Sequence, residues 1–429
     1  EFSALCAAAA KEGIRIILDG VFSHTGSDSR YFNREGRYGP GGAYRDRSSP
    51  YRSWYDFDSG YPCGYRSWWG FETLPEVQEE SPSYGNFVCG KGGVIDTWLG
   101  LGASGFRLDV ADELPDDFIE KIRAAVKAHG EDKLLLGEVW EDATTKEAFG
   151  RRRTYLRGHG LDATMNYPFR NAAVAFARGE DASAVGEQIM SICENYPKPA
   201  LDCAMNFLST HDTERGITAI AGEPANGRDR YWQSKRMIPG ERIDDALRRV
   251  LLAYAMLYTL PGVPCVYYGD EIGMRYLPLP TKEGGYFRTG SRTPMQWDNS
   301  ANKGFSTAAA DKLYLPVDDT ADAPTVAAQQ ADPDSLWHTV QGVLNFRHSH
   351  RDLDSDAPFH VRFAPKAKGS YRPFAWERGK LICAVNPARE GAELPLKLED
   401  GTRVLHVIGK AEVKGDELVL GAQSFAILG

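Results

Sequence analysis

Gly105-Phe-Arg-Leu-Asp109 is a short apolar run that stops on a carboxylate, with an arginine two positions before it. The pattern recurs along the chain. Ile14 to Val21 leads to His24, Leu134 to Leu136 to Glu138, Ala204 to Leu208 to His211, and Val263 to Tyr268 to Asp270. Runs of this length without polar alternation read as parallel strands buried on both faces. Between them lie amphipathic helical stretches: Val94 to Leu101, Asp116 to Ala128, Ala182 to Glu194 and Asp244 to Leu257. Strand alternating with helix predicts an α/β fold, and polar residues at the C-terminal ends of successive strands are where a (β/α)8 TIM barrel carries its chemistry. A doubly wound sheet fits less well, because no glycine-rich phosphate loop follows any of these strands.

Working outward, residues 1–12 read as the second half of an amphipathic helix, running through Gly13 into the first apolar strand. Residues 1–24 are thus expected to be barrel, and residues 25–89, rich in glycine, proline, serine and aromatics, a small inserted domain. Residues 90–355 return to the barrel rhythm. From residue 356 to 429 short alternating runs (HVRFA, KLICAV, RVLHVI, ELVL, SFAIL) predict an antiparallel β-sandwich domain.

Composition narrows the function classes. With 50 Lys+Arg against 59 Asp+Glu the net charge is -9, which argues against a phosphate backbone as partner. Seven scattered cysteines without metal-site spacing suggest reduced thiols, hence a cytoplasmic protein without a structural metal. The longest apolar run, Val250 to Tyr268, is broken by Pro261, Gly262 and Pro264, so it reads as buried helix and strand rather than a membrane span. Nine Trp, 20 Tyr and 19 Phe supply flat surfaces that can stack on a ligand.

Four strand-end clusters carry the chemistry: Asp19-Gly-Val-Phe-Ser-His24, Gly105 to Asp109, Gly137-Glu-Val-Trp140 and Ser209-Thr-His-Asp212. Singly, each could be an ordinary satisfied strand end. Jointly they offer separated carboxylates, an arginine and two histidines at one barrel mouth, the equipment of glycoside hydrolysis. Arg107 shares a strand face with Asp109 and would keep it ionised, while apolar Val139 and Trp140 would favour the protonated form of Glu138.

These four segments, in this order, resemble the motifs of the α-amylase family of retaining glycoside hydrolases. The resemblance implies a (β/α)8 barrel with an inserted domain B and a C-terminal β-sandwich. It further implies Asp109 as nucleophile, Glu138 as general acid/base and Asp212 as the third catalytic carboxylate. Arg107, His24 and His211 would orient the nucleophile and bind the sugar, with Glu113 and Trp140 as further substrate contacts and Asp19 as a structural residue. If residues 14–22 are the family's third strand, strands 1 and 2 are absent from this chain, and the open edges are expected to self-associate or leave it poorly soluble, with little hydrolytic activity by itself.

Within the family, Asp109-Val-Ala-Asp-Glu113, Leu74-Pro-Glu-Val77 and Met165-Asn-Tyr-Pro168 resemble neopullulanases and cyclomaltodextrinases. Arg292-Thr-Pro-Met-Gln-Trp-Asp298 is similar to the oligo-1,6-glucosidase and trehalose synthase branch. The implied substrate is an α-glucan or maltooligosaccharide cleaved at α-1,4 and also α-1,6 bonds. An exo-acting oligo-1,6-glucosidase or transglycosylase is the alternative, and a non-catalytic carbohydrate-binding relative a more distant one. Ser23 stands where the family usually has a calcium-ligating asparagine, so no cofactor is expected.

Overall fold

The computed structural model describes residues 1–222, 243–277, 279, 289–365 and 370–429. They divide into two compact units, Glu1–Met165 with Asn195–Cys203, and Asn166–Glu194 with Ala204–Gly429.

The first unit is built on a parallel sheet of β1 (Leu18–Gly20), β2 (Gly105–Leu108), β3 (Leu134–Gly137) and β6 (Ala163–Thr164), in that spatial order. A two-residue hairpin, β4 (Glu147–Ala148) with β5 (Arg151–Arg152), stands apart from it. The helix Asp116–Lys127 crosses from β2 to β3 and buries Phe118, Ile119, Ile122 and Val126, the apolar stripe of a 3.6-residue period. Gly137 is required by close approach, since a Cβ there would stand 2.3 Å from Leu161. The edge strand departs from the reading of two buried faces, because Ile14, Ile17 and Val21 are exposed.

Residues 25–89 contain few regular elements. They condense around aromatic rings instead, with Phe32 against Tyr65 (4.7 Å between centroids), Tyr55 (4.8 Å) and Phe57 (5.7 Å). Edge-to-face packing on Tyr55 and Tyr65 and stacking on Phe57 add to simple area burial, and they give a segment without a sheet its own small core.

In the second unit β7 (Met205–Asn206) pairs in parallel with β8 (Val263–Pro264), and the buried helix Ile243–Thr259 lies between them in sequence. Asn206 is fully buried and donates to the Pro261 carbonyl at 2.7 Å while accepting from Asn166 at 2.8 Å. That accounts for a polar residue inside an apolar run. Two antiparallel sheets follow. One orders β13 (Val404–Ile408), β16 (Ser424–Leu428), β11 (Leu381–Asn386), β10 (Phe374–Arg378) and β9 (Phe359–Phe363). The other orders β12 (Ala392–Leu394), β15 (Glu417–Leu420) and β14 (Ala411–Lys414). Ala375, Ala384 and Leu428 of the first and Leu394, Leu418 and Leu420 of the second meet in one core, which makes the pair a sandwich.

All seven cysteines are free thiols. Cys203 is exposed at the C-terminal end of the short helix Lys198–Asp202. Among the described residues no helix is long and apolar enough to cross a membrane.

Candidate active site

In the first unit the strand register assembles the cluster. Asp19 pairs with Arg107, and Arg107 with Leu136, so the parallel ladder continued by one step past Leu108 and Gly137 sets Asp109 beside Glu138. The backbone carries that step: Asp109 N–H donates to Gly20 and Glu138 N–H to Leu108, at 3.1 and 3.0 Å. Period-2 alternation then turns Asp19, Arg107, Asp109 and Glu138 to one side.

Arg107 is the hub. Its Nη1 donates to Asp109 Oδ1 at 2.9 Å and to Asp19 Oδ1 at 2.7 Å, and its Nη2 makes a 2.7 Å ionic contact with Glu138 Oε2. Burial works against the guanidinium charge, but the Glu138, Asp19 and Asp109 carboxylates outweigh it and push the Arg107 pKa above its ordinary value. Asp19 is half in water, so its pair adds less than the contacts to Asp109 and Glu138.

Glu138 is buried, and polar donors reach it there. Its Oε2 accepts from the Val110 N–H at 2.9 Å and its Oε1 from Trp140 Nε1 at 3.1 Å, besides the Arg107 contact. Besides its chain neighbour Trp140, two of its partners come from β2 and the turn after it. That turn is unusual, since Val110 holds φ at 40°, a left-handed conformation disfavoured for a β-branched residue. It aims the Val110 N–H at Glu138, while the Val110 carbonyl accepts from Glu113 N–H at 2.8 Å.

His24 sits at the end of the first strand segment with Nδ1 2.8 Å from Ser23 Oγ and its ring over Trp68, 5.4 Å between centroids. Burial lowers its pKa, against the opposing pull of Asp109, so the imidazole is neutral at neutral pH. Glu113 lies near neither Arg107 nor Glu138 by any hydrogen bond described. Its two oxygens accept instead from Trp68 Nε1 and Trp69 Nε1, at 2.7 and 2.8 Å.

The second unit holds His211 and Asp212. Asp212 is largely buried, with Oδ2 3.0 Å from His211 Nε2 and Oδ1 3.1 Å from Arg292 Nη2. Arg292 also donates through Nε to the His211 carbonyl at 3.0 Å, so one guanidinium fixes both the turn and its carboxylate. Ser291 Oγ bonds the Thr213 carbonyl at 2.7 Å and completes the brace. Arg292 and the Trp68–Trp69 pair were not among the site residues read from sequence. The Arg292-Thr-Pro-Met-Gln-Trp-Asp298 motif was the available signal for the first, and the run of aromatics from Tyr51 to Phe71 was the signal for the second.

The residues around Ser23 were tested against a calcium ion. The Ser23 hydroxyl is engaged with His24, and among the described residues no group of three or more His, Cys, Asp or Glu side chains is arranged to hold a metal.

Comparison with known proteins supplies the family. The model described as the α-amylase catalytic domain matches residues 1–356. An amylopullulanase of Thermoanaerobacter thermohydrosulfuricus is 34% identical over 307 residues, covering 63% of this chain and 20% of that protein. Neopullulanase 2 of Thermoactinomyces vulgaris is 30% identical over 311 residues, covering 69% of this chain and 43% of that protein. The chain therefore spans well under two thirds of the length of these curated relatives. The crystal structure of an α-amylase from H. orenii covers 100% of this chain and 82% of its own, with a TM-score of 0.74 at 21% identity, a likeness of fold. With the α-amylase catalytic-domain model covering residues 1–356, the chain belongs to the α-amylase family, whose (β/α)8-barrel fold its solved neighbours share, with an antiparallel β-sandwich at its C-terminal end.

Proposed function

We propose that the protein hydrolyses α-1,4 glucosidic bonds, and also α-1,6 bonds, in starch-derived oligosaccharides with retention of anomeric configuration. The observation that carries this reading is the single guanidinium of Arg107 joining the carboxylates of Asp109 and Glu138 on adjacent strand ends. In the first step an Asp109 oxygen attacks the anomeric carbon while the glycosidic oxygen leaves with the proton of Glu138. In the second, Glu138 takes a proton from water, whose oxygen displaces the Asp109 carboxylate and releases the sugar. By the family resemblance, Asp212, fixed by Arg292, would hold sugar hydroxyls with His211 beside it in the second unit, and His24 would bind sugar in the first. Trp140 would line the site next to the acid, and Asp19 would anchor Arg107.

The test is retention itself: proton NMR of the first product formed should show the α-anomer before mutarotation, and a β-product would overturn the reading. Reducing-end release from pullulan rather than isomaltose separates the endo-acting reading from the oligo-1,6-glucosidase alternative suggested by Arg292 to Asp298.

Three further expectations accompany it. Calcium is not required, so overnight EDTA dialysis should leave activity and melting temperature unchanged, and a fall reversed by calcium would contradict this. The free thiols support a reducing compartment, the cytoplasm. Exposed Ile14, Ile17 and Val21 beside β1, and Val263, Val266 and Tyr268 around β8, are apolar strand edges of the kind that pair with another chain. Size-exclusion chromatography should therefore give a species larger than 47.4 kDa. A clean monomer would show that these edges are otherwise satisfied.

A further inference from the structure

Trp69 is a large apolar residue that the fold neither buries nor relaxes. It is 64% exposed, and its backbone is left-handed at φ 51°, followed by Gly70 at φ 81°. For a non-glycine residue that conformation costs about 1–2 kcal/mol, and exposure forgoes most of the area an indole could bury. Strain held on an exposed aromatic points to a purpose for its position.

What fixes the ring is Glu113. Its two carboxylate oxygens take the indole N–H groups of Trp68 and Trp69, one each. Trp68 in turn lies over His24 and nearly parallel to Phe71, at 6.1 Å and 27°. With its N–H edge tied down, Trp69 presents a ring whose orientation is set by a residue four positions after Asp109. A flat C–H face of a pyranose ring is the ligand such a surface fits, and the turn from Asp109 to Glu113 makes it continuous with the strand-end cluster.

We infer that Trp69 is a stacking platform for a glucose ring of the bound α-glucan, and that Glu113 acts as the positioning residue that sets the platform rather than as a sugar ligand. The inference rests on the α-glucan reading above.

The test is binding of maltohexaose by isothermal titration, in an Asp109→Asn background that keeps the ligand intact. Trp69→Ala should weaken binding about tenfold, equivalent to about 1.4 kcal/mol, and Trp69→Phe should recover part of the loss. Glu113→Ala should weaken it similarly, and the double variant Trp69→Ala/Glu113→Ala no further than either single one. That non-additivity is the signature of a residue working through another. Fully additive losses would make Glu113 a direct ligand and overturn its positioning role. Unchanged affinity in Trp69→Ala, with the parent binding normally, would overturn the platform. Failure of the Asp109→Asn parent to bind maltohexaose at all would overturn the α-glucan reading on which both depend.

Discussion

Asparagine at position 109 is expected to lower kcat on a short maltooligosaccharide by at least about a thousandfold, with KM changed far less. The substitution keeps the side-chain shape, and its amide oxygen can still accept from Arg107 Nη1, so the cost falls on bond formation rather than on folding. Glutamine at 138 should cost a comparable factor for a different reason, because it cannot deliver a proton. The two are separable. A substrate with a good leaving group, such as a nitrophenyl glycoside, needs little protonation and should largely rescue Glu138→Gln at the first step, but not Asp109→Asn. Retained turnover above a hundredth of the parent in Asp109→Asn, measured in the active form of the protein, would remove Asp109 from its role.

The second large effect is expected at Arg107. Methionine there removes the cation that Asp109, Asp19 and Glu138 share, and leaves the buried Glu138 carboxylate with only its neutral donors, Val110 N–H and Trp140 Nε1, to offset its charge. Breaking a buried ion pair from one side typically costs about 3–5 kcal/mol, so the urea midpoint should fall as activity is lost. Lysine should restore part of the stability and little of the rate, since a single ammonium cannot fork to three carboxylates. A methionine variant with unchanged urea midpoint would show that the cluster does not depend on this hub.

The strand ends were legible in sequence because a two-sided buried strand leaves a continuous apolar run, and the polar residue that ends it marks the barrel mouth. Without any knowledge of register, that logic put Asp109 and Glu138 at strand ends, which the register then sets side by side. It failed where the partner lies far along the chain. Glu113 meets Trp68 and Trp69 across 45 and 44 positions, and Asp212 meets Arg292 across 80. Nothing local encodes either contact. For Glu138 the chain neighbours showed only Trp140, while the Val110 N–H and Arg107 come from the next strand and its turn. In the C-terminal domain β10 was not among the runs read, because Arg378 within it looks like a surface residue; it is wholly buried and donates to the carbonyls of Thr259 and Asp354.

The left-handed turn at Val110 bears on how this site can change over generations. The bond it supplies to Glu138 comes from the main chain, so a side-chain substitution cannot delete it; only proline, which lacks the N–H and fixes φ near -65°, removes the donor outright. Glycine, asparagine and aspartate reach the same backbone geometry at lower cost than valine. Position 110 is therefore free to drift in chemistry while remaining bound in handedness, and a stabilising replacement there is available that leaves the acid's hydrogen bond in place.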